Sequence, residues 1–274
     1  MNYIFYYTGK IPKHVFESLN SVLRVEGNPN IILATDQFVK FNDISIINVN
    51  DVISDLTKEI KEKVIQNRQG LWSSSMLRVF FLLDVAKKLE ISNFIHFDSD
   101  VMIYKSFDDV KHLLDISRLN ITPLNSKNLV FGYSYVGNLQ IYEKICHTIF
   151  NIIRDKSTYQ NQYLDGKELT EMSALNIAKI LNPECFNLLP ILPNDNTDML
   201  FDPGSYGQYL GGVHKKYFSK GYKSDNHFIG RKIISSEIQP NFSKKKGPFV
   251  ESKHKTFELV NLHIHKKNLS KFKI

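Results

Sequence analysis

The 274-residue sequence predicts an α/β protein with a mixed, mostly parallel central sheet flanked by helices. Three observations point there. Short apolar runs alternate with helical periodicity through the N-terminal part of the chain, the stretch Met76 to Leu89 is helix-like and rich in Phe and Leu, and the apolar run before Asp98 ends on two acids. Alternating strand and helix patterns fold as open sheets, with ligands outside the carboxyl ends of the strands.

Taken in order, Tyr3 to Thr8 reads as a buried strand closed by Gly9. Pro12 starts a helix whose apolar positions Val15, Phe16, Leu19, Val22 and Leu23 recur at helical spacing, and Gly27 ends it. Asn30 to Ala34 is a second strand ending in Thr35-Asp36, and Ile44 to Val49 is a third. Ser54 caps an amphipathic helix through Leu56, Ile60 and Val64. Trp72-Ser73-Ser74-Ser75 introduces the buried helix Met76 to Leu89, and Asn93 to Phe97 is the next strand.

Beyond it, Leu129 to Val136 reads as a strand, Leu139 to Arg154 as a helix, and Ser157 to Lys167 as a polar stretch. Glu171 opens a helix through Ala174, Ile177 and Ile180, with Pro183 past its end. After Leu192 the periodicity fades. Asn194 to Gly230 reads as long ordered loops, which in compact domains usually carry function, and Phe257 to His263 resumes strand character.

Length and a hydrophobic content of 42% suit one globular domain over residues 1–274. The formal charge of +7 is concentrated late, in Lys215-Lys216, Lys244 to Lys246, Lys253 to Lys255, Lys266-Lys267 and Lys271. Such an excess suits a solvated surface or an anionic partner, including peripheral contact with a membrane through the basic C-terminal segment. No nucleic-acid motif accompanies it, so no nucleic-acid partner is expected. Cys146 and Cys185 form no CxxC pair or zinc spacing, and the apolar run Tyr3 to Tyr7 is too short for a signal or spanning segment. A reducing, cytoplasmic setting is the expectation.

Phe94-Ile95-His96-Phe97-Asp98-Ser99-Asp100 delivers two carboxylates at the end of an apolar strand. Residues i and i+2 of an extended segment face one side, and two hard oxygen ligands there suit Mg²⁺ or Mn²⁺ bound with phosphate oxygens. A bare DxD is common, and the strand before it is what gives it weight.

Together with the helix Trp72 to Asp84, this segment resembles the core of GT-A glycosyltransferases, particularly bacterial and viral polysaccharide-building enzymes. The resemblance spans roughly the first half of the chain and implies a Rossmann-like GT-A fold. Residues 1–105 would be the nucleotide-sugar-binding half, and 106–274 the acceptor half with a C-terminal metal- and phosphate-binding segment. It further implies that Thr8, Gly9, Thr35 and Asp36 bind the nucleotide, that Arg78 approaches the DxD or the diphosphate, and that Asp98 and Ser99 also meet the nucleotide. Asp100 is the expected direct metal ligand, and Asp98 shares its carboxylate between ribose and the ion's water shell.

Asn261-Leu262-His263-Ile264-His265-Lys266-Lys267 resembles the C-terminal His of the same enzymes, which completes the metal shell while a Lys binds phosphate. His263 and His265 both remain candidates, as do Lys266 and Lys267 for phosphate. Phe201-Asp202-Pro203-Gly204, continuing to Gly212, resembles an FD…GQYLGG stretch whose Asp, Gln and Tyr suit sugar hydroxyls. Glu171 or Asp202 would serve as base if transfer inverts the sugar; retention needs none. The expected donor is a nucleoside diphosphate sugar, with UDP foremost, and the expected acceptor a glycan or glycolipid hydroxyl. Two other classes fit parts of the pattern. A phosphatase of the haloacid-dehalogenase kind places its DxD on the first strand, and a binding module would keep the fold without turnover.

Overall fold

In the computed structural model of the chain, residues 1–66, 70–212, 224–253 and 255–274 are described. The N-terminal part alternates as its apolar pattern dictates: β1 (Asn2–Tyr6), α1 (Lys13–Val25), β2 (Asn30–Thr35), β3 (Ser45–Asn48), α2 (Asp55–Gln66), α3 (Gly70–Lys88) and β4 (Phe94–Phe97). There follow β5 (Val101–Ile103), the one-turn α4 (Phe107–Val110), β6 (Leu119–Asn125), β7 (Asn128–Val136), α5 (Leu139–Arg154), α6 (Lys156–Tyr163), α7 (Glu171–Leu181) and β8 (Phe186–Leu188). The C-terminal part holds β9 (Met199–Leu200), α8 (Phe228–Ile234), β10 (Ile238–Ser243), β11 (Gly247–Ser252), β12 (Thr256–Leu259) and β13 (Asn261–His263).

Seven strands form the central sheet in the order β3-β2-β1-β4-β7-β6-β8. From β3 to β4 neighbours run parallel, β7 is antiparallel to both β4 and β6, and β8 is parallel to β6. This is the mixed, mostly parallel sheet the sequence predicts. Strand alternation sorts its side chains between two cores: Ile4, Ile32 and Phe94 pack with α3, α5 and α7, whereas Tyr3, Phe5, Ile31, Leu33, Ile95 and Phe97 pack with α1. A third core joins α8 to the C-terminal strands.

Several boundaries differ from the sequence expectation. The expected strand Phe257 to His263 is two strands in two sheets: β12 pairs with β11 and β9, and β13 pairs antiparallel with β5. The polar stretch Ser157 to Lys167 contains α6, whose half-buried Tyr159 and Tyr163 rings stack at 6.0 Å. The β10–β11 hairpin has no sequence counterpart, because its strands alternate only weakly. Within Asn194 to Gly230 lie β9 and the first residues of α8, while residues 213–223, with Lys215 and Lys216, and also His254, lie outside those described. Among the described residues no helix is long and apolar enough to cross a membrane. Cys146 and Cys185 are buried free thiols.

Candidate active site

Strand order fixes where the site forms. Because β1 lies between β2 and β4, the residues after all three carboxyl ends meet: Thr8-Gly9, Thr35-Asp36 and Asp98-Ser99-Asp100. Gly9, at φ 80°, donates its N–H to Asp36 Oδ1 at 2.8 Å, and Gln37 Nε2 donates to the same oxygen at 3.0 Å. Burial alone would raise the Asp36 carboxyl, but these hydrogen bonds hold it below its ordinary value. Thr35 is buried, its hydroxyl accepting from Gln37 N at 3.3 Å, and Thr8 is half-buried at the mouth.

The DxD is a tight turn rather than an extended segment: Val101 N donates to Asp98 O at 3.0 Å, and β5 departs at once. The turn sends the two acids to different partners. Asp98 shares the parity of Phe94 and His96, faces α3, and is ion-paired there with Arg78. Asp100 faces β13, where His263 Nε2 lies 3.1 Å from its Oδ1 and 3.8 Å from Asp98 Oδ2. Ser99 is half-buried between them.

Arg78 bridges two acids. Besides Asp98, its Nη2 donates to both oxygens of Glu171, at 2.9 and 3.1 Å, and its guanidinium lies 5.9 Å from the Phe131 ring centroid. Glu171 is 4% exposed at the head of α7, so its carboxylate is spent on Arg78 rather than open to an acceptor. Sequence reading missed His96 beneath this bridge. Its ring stacks on Phe131 at 5.2 Å, its Nδ1 meets Ile4 O at 2.8 Å, and burial followed by the Arg78 charge pushes its pKa well below the ordinary value.

His263 and His265 come together despite flanking buried Ile264. Their rings stack at 4.4 Å with 14° between planes, and ligand atoms of Asp100, His263 and His265 all lie within 4.8 Å of one another. Two imidazole nitrogens and a carboxylate oxygen in that span form a ligand set for a first-row divalent ion; the carboxylate is the donor that suits Mn²⁺, and the imidazoles suit the later metals as well. Burial alone would lower His263; Asp100 beside it outweighs that and raises it. The partners answer in kind: His263, His265 and Lys267 overcome the burial of Asp100 and hold it below the usual carboxylate range. Lys266 and Lys267 are exposed just beyond, with Lys267 turned back at φ 61° so that its N–H reaches Ile264 O at 2.7 Å.

Asp202 differs most from expectation. It is fully buried, its Oδ1 accepts from the N–H groups of Gly204, Ser205 and Tyr206 at 2.7 to 2.9 Å, and its Oδ2 accepts from Gly207 and His263 at 2.8 and 3.0 Å. Five donors occupy both of its oxygens, and neither is left facing an acceptor. Its work is to fold the Gly204–Gly207 turn around the backbone of His263. The glycines are there for close approach: a Cβ on Gly204 would stand 2.9 Å from His265 Nε2, one on Gly207 2.2 Å from His263 O, and one on Gly132 of β7 2.7 Å from His263 Nδ1.

α1 clamps the DxD from the opposite face. Ser18 Oγ donates to Val101 O at 2.7 Å, Ser21 Oγ accepts from Ile103 N at 3.0 Å, and His14 lies one turn before Ser18. The signal for this face was available as the i, i+4, i+7 spacing of His14, Ser18 and Ser21, which an apolar-periodicity search passes over.

No protein-family model matches the chain, and no curated protein does. Among solved structures it is similar to mouse xyloside xylosyltransferase 1, at 12% identity and TM-score 0.46 over 69% of this chain and 86% of that one. It is also similar to galactosyltransferase LgtC in complex with donor and acceptor sugar analogues, at 10% identity and TM-score 0.44 over 83% and 87%. The glycosyltransferase GlyE of Streptococcus pneumoniae TIGR4 follows at 12% identity and TM-score 0.41, over 69% and 44%. The likeness is distant, and what the protein does is read from the side chains of its own site.

Proposed function

We propose that this chain is a divalent-metal-dependent glycosyltransferase that moves a sugar from a nucleoside diphosphate, UDP foremost, to a hydroxyl of a glycan or glycolipid. The observation that carries this reading is the convergence of Asp100, His263 and His265 within 4.8 Å, with Asp98 alongside, beyond the carboxyl ends of the parallel strands β1, β2 and β4. Asp100, His263 and His265 would hold Mn²⁺ or Mg²⁺, which when bound neutralises charge on the departing diphosphate. Lys266 and Lys267 add positive charge from the open side. Thr8, Gly9, Thr35 and Asp36 line the nucleotide end, and Arg78 fixes the direction of Asp98.

With Glu171 committed to Arg78 and Asp202 to five N–H groups, neither expected base is free, which favours transfer with retention. The basic surface suits an anionic acceptor environment such as a membrane face. Lys244 to Lys246 are exposed at the β10–β11 turn, and Lys271 and Lys273 are exposed on the segment whose Phe272 ring meets Phe242 of β10 at 5.3 Å. Thermal shift across UDP-, GDP- and dTDP-sugars, with and without Mn²⁺, tests the reading. The expected result is stabilisation by one nucleotide class only when metal is present; no stabilisation by any of them would sink it.

A further inference from the structure

His14 is 8% exposed, and its Nε2 is buried with no hydrogen-bond partner among the described residues. Leaving a buried ring nitrogen unpaired is unfavourable, so its position calls for a reason. Its neighbours supply one. Ser18, four residues on and on the same face of α1, donates to Val101 O at 2.7 Å and to Asp98 O at 3.4 Å, which sets His14 one helical turn before the residue that holds the DxD turn. Burial, and after it the charge of Lys267, lower the His14 imidazole from its ordinary value against the weaker opposing pull of Asp100 and Glu17.

His14 also stands in the first turn of a 13-residue helix. The residue before that turn, Pro12, offers no side-chain acceptor to it, its carbonyl taking the Val15 N–H at 3.1 Å. A helix start, an orphaned imidazole in its first turn and a lysine charge acting on that imidazole suit an anion, not a second cation. His14 is outside the cluster of Asp100, His263 and His265 whose ligand atoms converge.

We propose that His14 binds the diphosphate of the nucleotide donor, its Nε2–H donating to a non-bridging phosphate oxygen held between the start of α1 and Lys267. This rests on the reading that the site takes a nucleoside diphosphate. It adds to that reading a contact from the strand β1–helix α1 side, opposite the histidines of β13.

Titration calorimetry with UDP and with inorganic pyrophosphate, each at saturating Mn²⁺, tests it on the wild type and on His14→Ala and His14→Gln. Loss of one charge-assisted hydrogen bond predicts that His14→Ala weakens both ligands by roughly tenfold with Mn²⁺ affinity unchanged. His14→Gln, which keeps an N–H donor and guards against a merely unfolded alanine variant, recovers most of that loss. Unchanged affinity in His14→Ala overturns the proposal, as does weakening of UDP without weakening of pyrophosphate, or a parallel fall in Mn²⁺ affinity. A wild type that binds neither UDP nor pyrophosphate overturns the proposed function itself and this contact with it.

Discussion

The β1–β4 half and the β9–β13 half of the molecule hold the same site by different means. In the first, β1, β2 and β4 are buried on both faces, and repetition does the work: Ile4, Leu33, Phe94 and Phe97 are each 0 to 1% exposed and interchangeable in kind. In the second, strands of two to six residues place His263 through unique bonds, above all the five N–H groups on Asp202 and the pairing of β13 with β5. Burial of apolar area is spread over many residues, whereas a buried carboxylate that organises a turn is a single point of failure.

Asp202→Ala should therefore be the most damaging change. Five buried donors lose their acceptor, and at about 1–3 kcal/mol for each one left dry, a loss on the order of 5 kcal/mol is expected after partial rehydration. Denaturant unfolding should show it, and Mn²⁺ binding should disappear even in the folded fraction.

Leu33→Ala in the central sheet should cost about 2–5 kcal/mol by the same unfolding measurement. Here the folded fraction should keep wild-type Mn²⁺ affinity. Equal damage to metal binding from both variants would erase the contrast between the halves.

Gly132→Ala separates position from stability more finely. The new methyl meets His263 Nδ1 at 2.7 Å, so the ring must shift while the ordinary backbone of β7 is kept. A modest stability loss of about 1–3 kcal/mol, with Mn²⁺ affinity down by more than tenfold, is the expected pair of results from calorimetry.

The smallest effect is on pH dependence without metal. His263 has a raised pKa in the fold, so its contribution is complete below its unfolded value of about 6.5 and is lost as pH rises through the folded value. Asp100 has a lowered one, so its contribution is present above about 3.9 and is lost as pH falls through the folded value. Between pH 5.5 and 8 the melting temperature should thus fall in the metal-free wild type relative to His263→Gln, and Mn²⁺ should cancel the fall at the upper end.

What could be read in the sequence follows the same division. The strands and helices up to β4, and α5 to the residue, stand in periodic apolar spacing, which is a local property. DxD at a strand end was legible for the same reason. The settings of Glu171 and Asp202 were not: an acid is written identically whether it meets an acceptor sugar, a guanidinium 93 residues away or five N–H groups. His263 and His265 could not be separated by alternation, and the structure shows why, since the chain turns after β13 and stacks the two rings. His14 and His96 stood among apolar residues and were hidden by that context.

The central claim is that Asp100, with His263 and His265, holds the ion on which sugar-nucleotide turnover depends. Release of nucleoside diphosphate from the best-binding donor, measured with and without Mn²⁺ for wild type and Asp100→Ala, tests it most directly. Metal-dependent release by the wild type, falling at least about a hundredfold in Asp100→Ala, is the predicted result; unchanged metal-dependent release in the variant would contradict it.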